Sequence, residues 1–513
     1  MKNIIWKSYP YLFTLVSLLF VYIPTSWSFP PTQIIRPFLI LSAILFIISP
    51  IANKLGGDKD WGSILLTIFA FGFFFQEILF KLAGATIIVI IIIFIICLRL
   101  LKQEINILKI SKLLTIMSLA ILTIQSAALV YDLTPIPWTY FISMIERTNN
   151  TPSIQLSVPA NGIKPDIYYI ILDSYPREDI LKELFQYDNS NFINYLEETG
   201  FIVAKNAHSN YPRTALSISS TLDMQYINEI LPNTQGLKFW WLSEPIINHS
   251  RVRASLEGIG YQSISIASNW GITNNESANL YFKPYPILLS DYENFLILTT
   301  PIKQLYTPFQ SISPIPSNET HRQYILFNFD TLEKIPNINA PKLVVSHIIA
   351  PHPPFVFMSD GSYVEPSYNF TLETAAGLSI EDQKRGYINE IEFLNKKLSI
   401  LIEQILNNSE TPPIIILQAD HGSGIWVNFY SQKDTCMKER FSIFGAYYLP
   451  GKDTGVIPQD ITPVNLFRII FNEYFSTNMD LHENHMYFSH ANSMFDLSQV
   501  TDQINNSCSS LTK

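Results

Sequence analysis

Charge is scarce in this chain. Only 15% of its 513 residues are Asp, Glu, Lys or Arg, against about 25% in an ordinary soluble domain. Together with 48% hydrophobic residues, that scarcity excludes a fully soluble cytosolic enzyme and a disordered chain. Cysteine is scarcer still, at three residues, which excludes a disulfide-rich scaffold. There is no basic excess. The net charge of -9 argues against nucleic acid as a partner. No internal repeat and no low-complexity tract appears, and the length implies more than one domain.

What is present falls into two populations. Residues 1–131 hold ten Lys or Arg and four Asp or Glu, a net +6, whereas residues 132–513 hold 24 and 39, a net -15. An apolar, basic front joined to an acidic back reads as a membrane anchor followed by a water-soluble domain. Five apolar runs, 10–27, 34–51, 62–80, 83–101 and 112–131, approach the roughly 20 residues that cross a bilayer as a helix. The first lacks a small-residue cleavage site and four more follow, so it reads as a retained anchor rather than a signal peptide. With the N-terminus in the cytoplasm, inside loops carry Lys2, Lys7, Lys54, Lys59, Arg99, Lys102, Lys109 and Lys112. Outside loops carry only Arg36 and Lys81. That asymmetry orients the helices, and five crossings place the C-terminal domain outside. Residues 132–164 form a connector. Trp138, Tyr140 and Phe141 suit an interfacial helix, and a polar, Pro-containing join follows it. Cys97 belongs to an apolar run. Cys436 and Cys508 either pair, in an oxidising compartment, or stay as free thiols.

From 165 to 513 short β-rich runs alternate with amphipathic helical patterns. Ile167–Asp173, Lys342–Ile348, Ile414–Asp420 and Ser442–Leu449 read as mostly buried strands. Asp179–Gly200 and Lys384–Asn407 read as helices. The alternation predicts an α/β sandwich around a mainly parallel central sheet, with chemistry beyond the carboxyl ends of the strands.

Three strands end in ligand-type residues. IYYIILD ends at Asp173, and IIILQAD ends at Asp420 with His421 and Gly422 behind it. KLVVSHI carries His347 and runs into Ala350-Pro351-His352-Pro353-Pro354. Two carboxylates and an imidazole at neighbouring strand ends make a cation site suited to zinc or manganese before calcium. A strand-end Asp by itself also caps helices. In Tyr211-Pro212-Arg213-Thr214-Ala215-Leu216-Ser217 the proline precedes a helical pattern, which puts Thr214 near a helix N-terminus, where backbone N–H groups favour an anion. Its hydroxyl is either an N-cap or a nucleophile.

Taken in order, Asp173 after a buried strand, Thr214-Ala215-Leu216-Ser217, His347 with His352, and Asp420-His421-Gly422 resemble the sulfatase-like branch of the alkaline phosphatase superfamily. The anchor with an outward domain resembles the lipid A phosphoethanolamine transferases and lipoteichoic acid synthases of that branch. The likeness spans residues 165–490 and the layout of the anchor. It implies an alkaline-phosphatase-like fold and a site on the outer side of a bacterial cytoplasmic (inner) membrane. It also implies one divalent ion, zinc or manganese first and magnesium next, held by Asp173, Thr214, Asp420 and His421. By the same likeness Thr214 is the nucleophile, His352 contacts the substrate phosphate or protonates the leaving group, and His347 supports it. Arg213 is a further substrate contact.

The implied activity moves a phospho-head-group from a membrane lipid donor to a glycan or lipid acceptor through a phospho-threonine. The alternatives are a phosphodiesterase, phosphatase or sulfatase-like hydrolase on the same site, and a non-catalytic module that binds glycan or lipid. There are departures. No cysteine lies near residue 214, which disfavours sulfate ester hydrolysis. The transferases carry a further histidine soon after Asp-His-Gly, and Gly422 to Arg440 contains none. Lys433, Lys438 and Arg440 are the cations available in its place. No Asp-x-x-x-His pattern offers a second metal site, so one cation is expected.

Overall fold

The computed structural model describes residues 8–83, 107–158, 162–287, 289–300, 303, 306–309, 312, 315–364 and 378–508, the side chains of 71–73 and 75–83 excepted. The chain forms two compact units. One contains Met1–Ile136 and Ile287–Ile315, the other Pro137–Pro286 and Pro316–Lys513.

The first unit is helical: Tyr9–Tyr22, Ile35–Gly56, Lys59–Ala83 and Ile107–Leu133. Among the described residues two helices, Pro31–Gly56 and Ile107–Leu133, are long and apolar enough to cross a membrane. The expected five spans are therefore not reproduced. The first run breaks early: its α-helix ends at Tyr22 and a short 3-10 turn containing Pro24 follows. The third run lies in a helix that carries Asp60, Glu77 and Lys81. The fourth lies outside the described residues from position 84 on.

Polarity within this unit is inverted relative to a water-soluble bundle. On Ile107–Leu133 the polar Ser111, Thr115, Ser118 and Gln125 are buried, whereas Leu113, Ile116 and Ile124 are exposed. The Gln125 amide nitrogen donates to the Val16 carbonyl at 3.0 Å, while its Oε1 is buried without a hydrogen-bond partner. Residues 287–315 fall in this unit too. Their helix Asp291–Thr299 packs Tyr292 and Leu296 against Leu18, Leu19 and Tyr22. The Tyr292 hydroxyl donates to the Leu18 carbonyl at 2.9 Å, and Arg36 pairs with Glu293.

The second unit is built on a seven-stranded mixed sheet. Its strands are β1 (Ile167–Leu172), β2 (Ile202–Val203), β3 (Gln262–Ile266), β4 (Leu280–Phe282), β5 (Lys342–Ile348), β6 (Ile414–Gln418) and β7 (Gly445–Tyr448). Their order is β2-β7-β6-β1-β5-β3-β4. β1 runs parallel to β5 and β6, and β3 parallel to β5 and β4. Only β7 reverses, antiparallel to β6 and β2. β1 is buried along its whole length, as a central parallel strand covered on both faces must be. Alternate side chains meet different layers. Tyr169 packs edge-on to Phe467 of the Pro463–Phe475 helix. The hydroxyl of Ser346 on β5 donates to Asn328 of the Asn318–Leu332 helix at 2.8 Å. The expected sandwich around a mainly parallel sheet is present.

Two details differ from the sequence pattern. The helix expected over 179–200 is broken into Glu178–Leu184 and Ser190–Glu198. Gln186 takes a left-handed backbone at φ 58°, and the Asp188 carboxylate accepts from Ser190 N at 3.0 Å, so a turn replaces the middle of the helix. A two-stranded ribbon, β8 (Tyr487–His490) with β9 (Ser493–Gln499), lies outside the main sheet.

The connector helix Trp138–Asn149 belongs to this unit. Its Arg147 makes a two-point bond to Asp223, at 2.7 and 3.0 Å. Asp223 is the fully buried last residue of the Thr214–Asp223 helix. Asp223 also accepts from the Arg251 backbone N–H at 3.1 Å, with the Arg251 guanidinium 4.0 Å away, so losing Arg147 leaves the buried charge partly compensated. Arg147→Ala should lower the unfolding free energy by less than the about 3–5 kcal/mol of a fully stranded charge, read as a lower denaturant midpoint with unchanged slope.

Candidate metal and nucleophile site

The adjacent parallel strands β5, β1 and β6 deliver their carboxyl ends to one place, because Ile171 is in register with both His347 and Gln418. Asp173 follows β1 and Asp420 follows β6 closely. Asp173, Asp420 and His421 are all buried, each offering a ligand atom within 4.8 Å of the others. The Thr214–Asp223 helix brings the fourth group. Thr214 is its first residue, and Arg213, at the N-cap, makes no side-chain cap. Thr214 is therefore not the cap that its spacing allowed. Its Oγ1 lies 3.1 Å from His421 Nε2. A hydrogen bond from the Ser217 hydroxyl to the Asp420 carbonyl, at 2.7 Å, fixes that helix to the Asp-His turn.

The proton on His421 can be placed from its neighbours. Nδ1 faces the Gly422 carbonyl at 3.1 Å, an atom that only accepts, so Nδ1 carries the hydrogen. Nε2 then presents its lone pair toward Thr214, Asp420 Oδ2 at 3.3 Å and Asp173 Oδ1 at 3.8 Å. His347 Nε2 lies 3.2 Å from the other Asp173 oxygen, and its Nδ1 lies 3.0 Å from Thr273 Oγ1. His347 thus braces Asp173 from behind.

The two carboxylates differ sharply in proton affinity. Burial raises the pKa of Asp173, but the imidazoles of His352, His347 and His421 outweigh it and hold the group well below the usual range. Burial and the adjacent charge of Asp173 push Asp420 up to about 7. Like charges confined together separate in this way unless a cation joins them. Asp420 Oδ2 is buried with no hydrogen-bond partner. Two carboxylates, one imidazole lone pair and one hydroxyl are a donor set for zinc or manganese, and the orphaned oxygen fits that use. The residues present fit a divalent cation.

The other expected residues fall at different distances from this centre. His352 is half-buried and its Nδ1 lies 2.6 Å from the Pro353 carbonyl. Burial lowers its pKa while the charge of Asp173 pulls the other way. The Arg213 guanidinium turns toward the β8–β9 ribbon, donating to Ser489 Oγ at 2.9 Å and lying 4.0 Å over the Phe429 ring. Of the three later cations, Lys433 is exposed and Lys438 pairs with Glu183. Arg440 is buried and donates to the Pro212 carbonyl at 2.6 and 2.8 Å and to the Gly422 carbonyl at 2.9 Å. It therefore clamps the segment before Thr214 to the turn after His421. The turn admits no side chain at Gly422, whose Cβ would sit 2.1 Å from the Glu439 carbonyl. Cys436 and Cys508 form a disulfide at the start of the short helix Met437–Phe441 that carries Arg440.

Sequence reasoning missed three buried neighbours. Ser174 follows Asp173 and touches the ligand set. Tyr387, on the Ile380–Asn408 helix, faces Ser174 and has its pKa raised by burial. His321 is fully buried, its pKa lowered to about 3 by burial and by His352. Tyr387 and His321 lie inside helices with no motif around them. Only Ser174 carried a signal, its adjacency to a strand-end Asp.

No family model matches the chain, and no curated protein matches it. Among solved structures it is similar to the C-terminal periplasmic domain of EptC from Escherichia coli in complex with Zn, at 12% identity over 69% of this chain and 98% of that one, TM-score 0.44. It is similar to lipooligosaccharide phosphoethanolamine transferase A (EptA) from Neisseria meningitidis, an integral membrane protein, at 12% identity over 73% and 70%, TM-score 0.37. It is also similar to the lipoteichoic acid synthase LtaP from Listeria monocytogenes, at 12% identity over 66% and 79%, TM-score 0.38.

The segment after His352 is held by a carboxyl group that is not at the centre. Glu390 is fully buried and accepts from Val356 N at 2.6 Å, and burial raises its pKa from an ordinary 4.5 to about 8. The folded protein keeps this proton while the unfolded chain loses it above pH 4.5. Stability should therefore fall as pH rises through that window and level off above about 8. Glu390→Gln should flatten this part of the profile, measured as Tm against pH from 4 to 9.

Proposed function

We propose that this chain is a membrane-anchored, metal-dependent transferase that moves a phospho-head-group from a phospholipid to a glycan or lipid acceptor through Thr214. One observation carries the reading: the Thr214 hydroxyl, at an uncapped helix N-terminus, lies 3.1 Å from the free nitrogen of His421 beside two buried carboxylates. Asp173, Asp420, His421 and Thr214 would hold one divalent cation. When bound, it supplies a lowered hydroxyl pKa and charge neutralisation at the phosphate.

The chain's own residues do the rest. The Thr214 hydroxyl loses its proton to solvent and its oxygen attacks phosphorus, so that a Thr–O–P bond forms as the bond to the diacylglycerol oxygen breaks. Backbone N–H groups at the start of the Thr214–Asp223 helix face the incoming negative charge. His352 is mostly neutral when the site is empty, and an arriving phosphate favours its protonated form. It then donates a proton to the departing diacylglycerol oxygen. In the second half an acceptor hydroxyl gives its proton to the now neutral His352 and attacks the same phosphorus, the Thr–O–P bond breaks, and the Thr214 oxygen takes a proton back from solvent. His347 holds Asp173 in place, and Arg440 holds the two ligand-bearing segments together.

The anchor fits a lipid donor. Pulling an acyl chain from a bilayer costs about 0.8 kcal/mol per CH2, so a site held at the membrane meets its head group in place. Buried polar and exposed apolar residues on Ile107–Leu133 suit a helix in lipid. The catalytic unit is read as extracytoplasmic, at a bacterial inner membrane. The Cys436–Cys508 disulfide suits an oxidising compartment.

Elemental analysis of the purified protein should find about one zinc or manganese per chain, with Asp420→Ala well below that. After incubation with mixed bacterial phospholipids, tryptic mass spectrometry should find a phospho-head-group adduct on the Thr214 peptide. Thr214→Ala should lose the adduct and turnover while keeping most of its metal. Full turnover by Thr214→Ala would eliminate the nucleophile. Release of the free phospho-head-group without any added acceptor would identify water as the acceptor and the enzyme as a hydrolase.

A further inference from the structure

We infer that Ser174 is the positioning residue of the metal site: its hydroxyl and backbone N–H orient Asp173, Asp420 and His421 toward a common point. The inference rests on the metal reading above and adds a residue that the proposed chemistry does not use.

Ser174 is fully buried and touches each of the three clustered ligands. Its backbone N–H donates to Asp420 Oδ1 at 3.2 Å. Its hydroxyl donates to Asp173 Oδ1 at 3.0 Å and lies 3.2 Å from His421 Nδ1. The direction of the last bond is fixed. A carboxylate only accepts, so the single hydroxyl proton goes to Asp173. The oxygen is then an acceptor toward His421, whose Nδ1 already carries hydrogen because it faces the Gly422 carbonyl. Tyr387 of the Ile380–Asn408 helix lies near the same hydroxyl.

These bonds sort the ligand atoms. With Nδ1 held from behind, His421 presents Nε2. With Oδ1 held by the Ser174 N–H and by His421 N at 2.9 Å, Asp420 presents Oδ2, the oxygen with no partner. Partners behind the ligands fix tautomer and orientation in metal sites, and losing one costs about 10–100-fold in affinity.

The backbone makes the case stronger. Ser174 stands at φ 64°, a left-handed conformation that a residue with a Cβ adopts at a cost and that glycine adopts freely. If only the turn mattered, glycine would serve better. A serine kept in this conformation fits a need for its hydroxyl.

That contrast supplies the test. The full-length protein is stripped of metal and its zinc affinity measured by competition with a chromophoric chelator, alongside the Tm of the metal-free form. Ser174→Gly and Ser174→Ala both lose the hydroxyl and should bind zinc about 10–100-fold more weakly. Only Ser174→Ala keeps the backbone penalty, so metal-free Ser174→Gly should melt at or above the wild-type temperature and above Ser174→Ala. Wild-type affinity in Ser174→Gly overturns the inference. So does a loss of affinity that follows metal-free Tm across the two variants, which would mark a packing role. If the wild type binds no zinc or manganese while Asp420→Ala behaves identically, the metal reading itself fails and this role falls with it.

Discussion

Two carboxylates buried side by side are the constraint that the rest of the sheet-bearing unit answers to. Asp173 and Asp420 sit at the ends of β1 and β6 with almost no access to water, where like charges repel most strongly. The fold offers them no hydrogen-bonded Lys or Arg side chain among the described residues. It offers instead two imidazoles, a serine, a threonine and backbone N–H groups, arranged around an oxygen with no partner. Everything near this pair holds geometry. His347 braces one acid, Ser174 spans both acids and the histidine, and Arg440 fastens the segment before Thr214 to the Asp-His-Gly turn. The absence of a side chain at Gly422 lets the 439–442 backbone close on that turn.

The strands that carry this centre were legible because a buried parallel strand leaves a run of apolar residues that ends abruptly in a polar one. IYYIILD and IIILQAD are such runs, and they located Asp173, Asp420 and His421. Thr214 was legible as a position, a helix start after proline, but spacing left it between cap and nucleophile. Its 3.1 Å approach to His421 is a tertiary fact. Arg440 was read as one of three loop cations. Its burial against two carbonyls depends on how the 422–440 loop folds back, which no local pattern encodes. His321 and Tyr387 sit on helices whose sequences give no sign of what lies across from them.

The anchor was less legible than the sheet. Hydropathy counts apolar residues but does not see where a helix ends. The first run is cut short at Tyr22, and the third is helical but interrupted by charge. The exposure pattern on Ile107–Leu133 was invisible for the same reason: composition gave the apolar total, and only packing places Ser111, Thr115 and Gln125 inward.

The excursion of residues 287–315 bears on how the protein can be divided. The polypeptide passes between its two compact units three times, at 136/137, 286/287 and 315/316. A cut at the first of these points removes the helices but leaves the excursion attached to the sheet-bearing half. Tyr292 and Leu296 would then lose Leu18, Leu19 and Tyr22 as neighbours, and Glu293 would lose Arg36. A fragment beginning at 137 would carry an uncovered apolar helix, a surface that invites association between copies. A cleaner excision of the sheet-bearing half also replaces 287–315 with a short polar linker, joining Pro286 to Pro316.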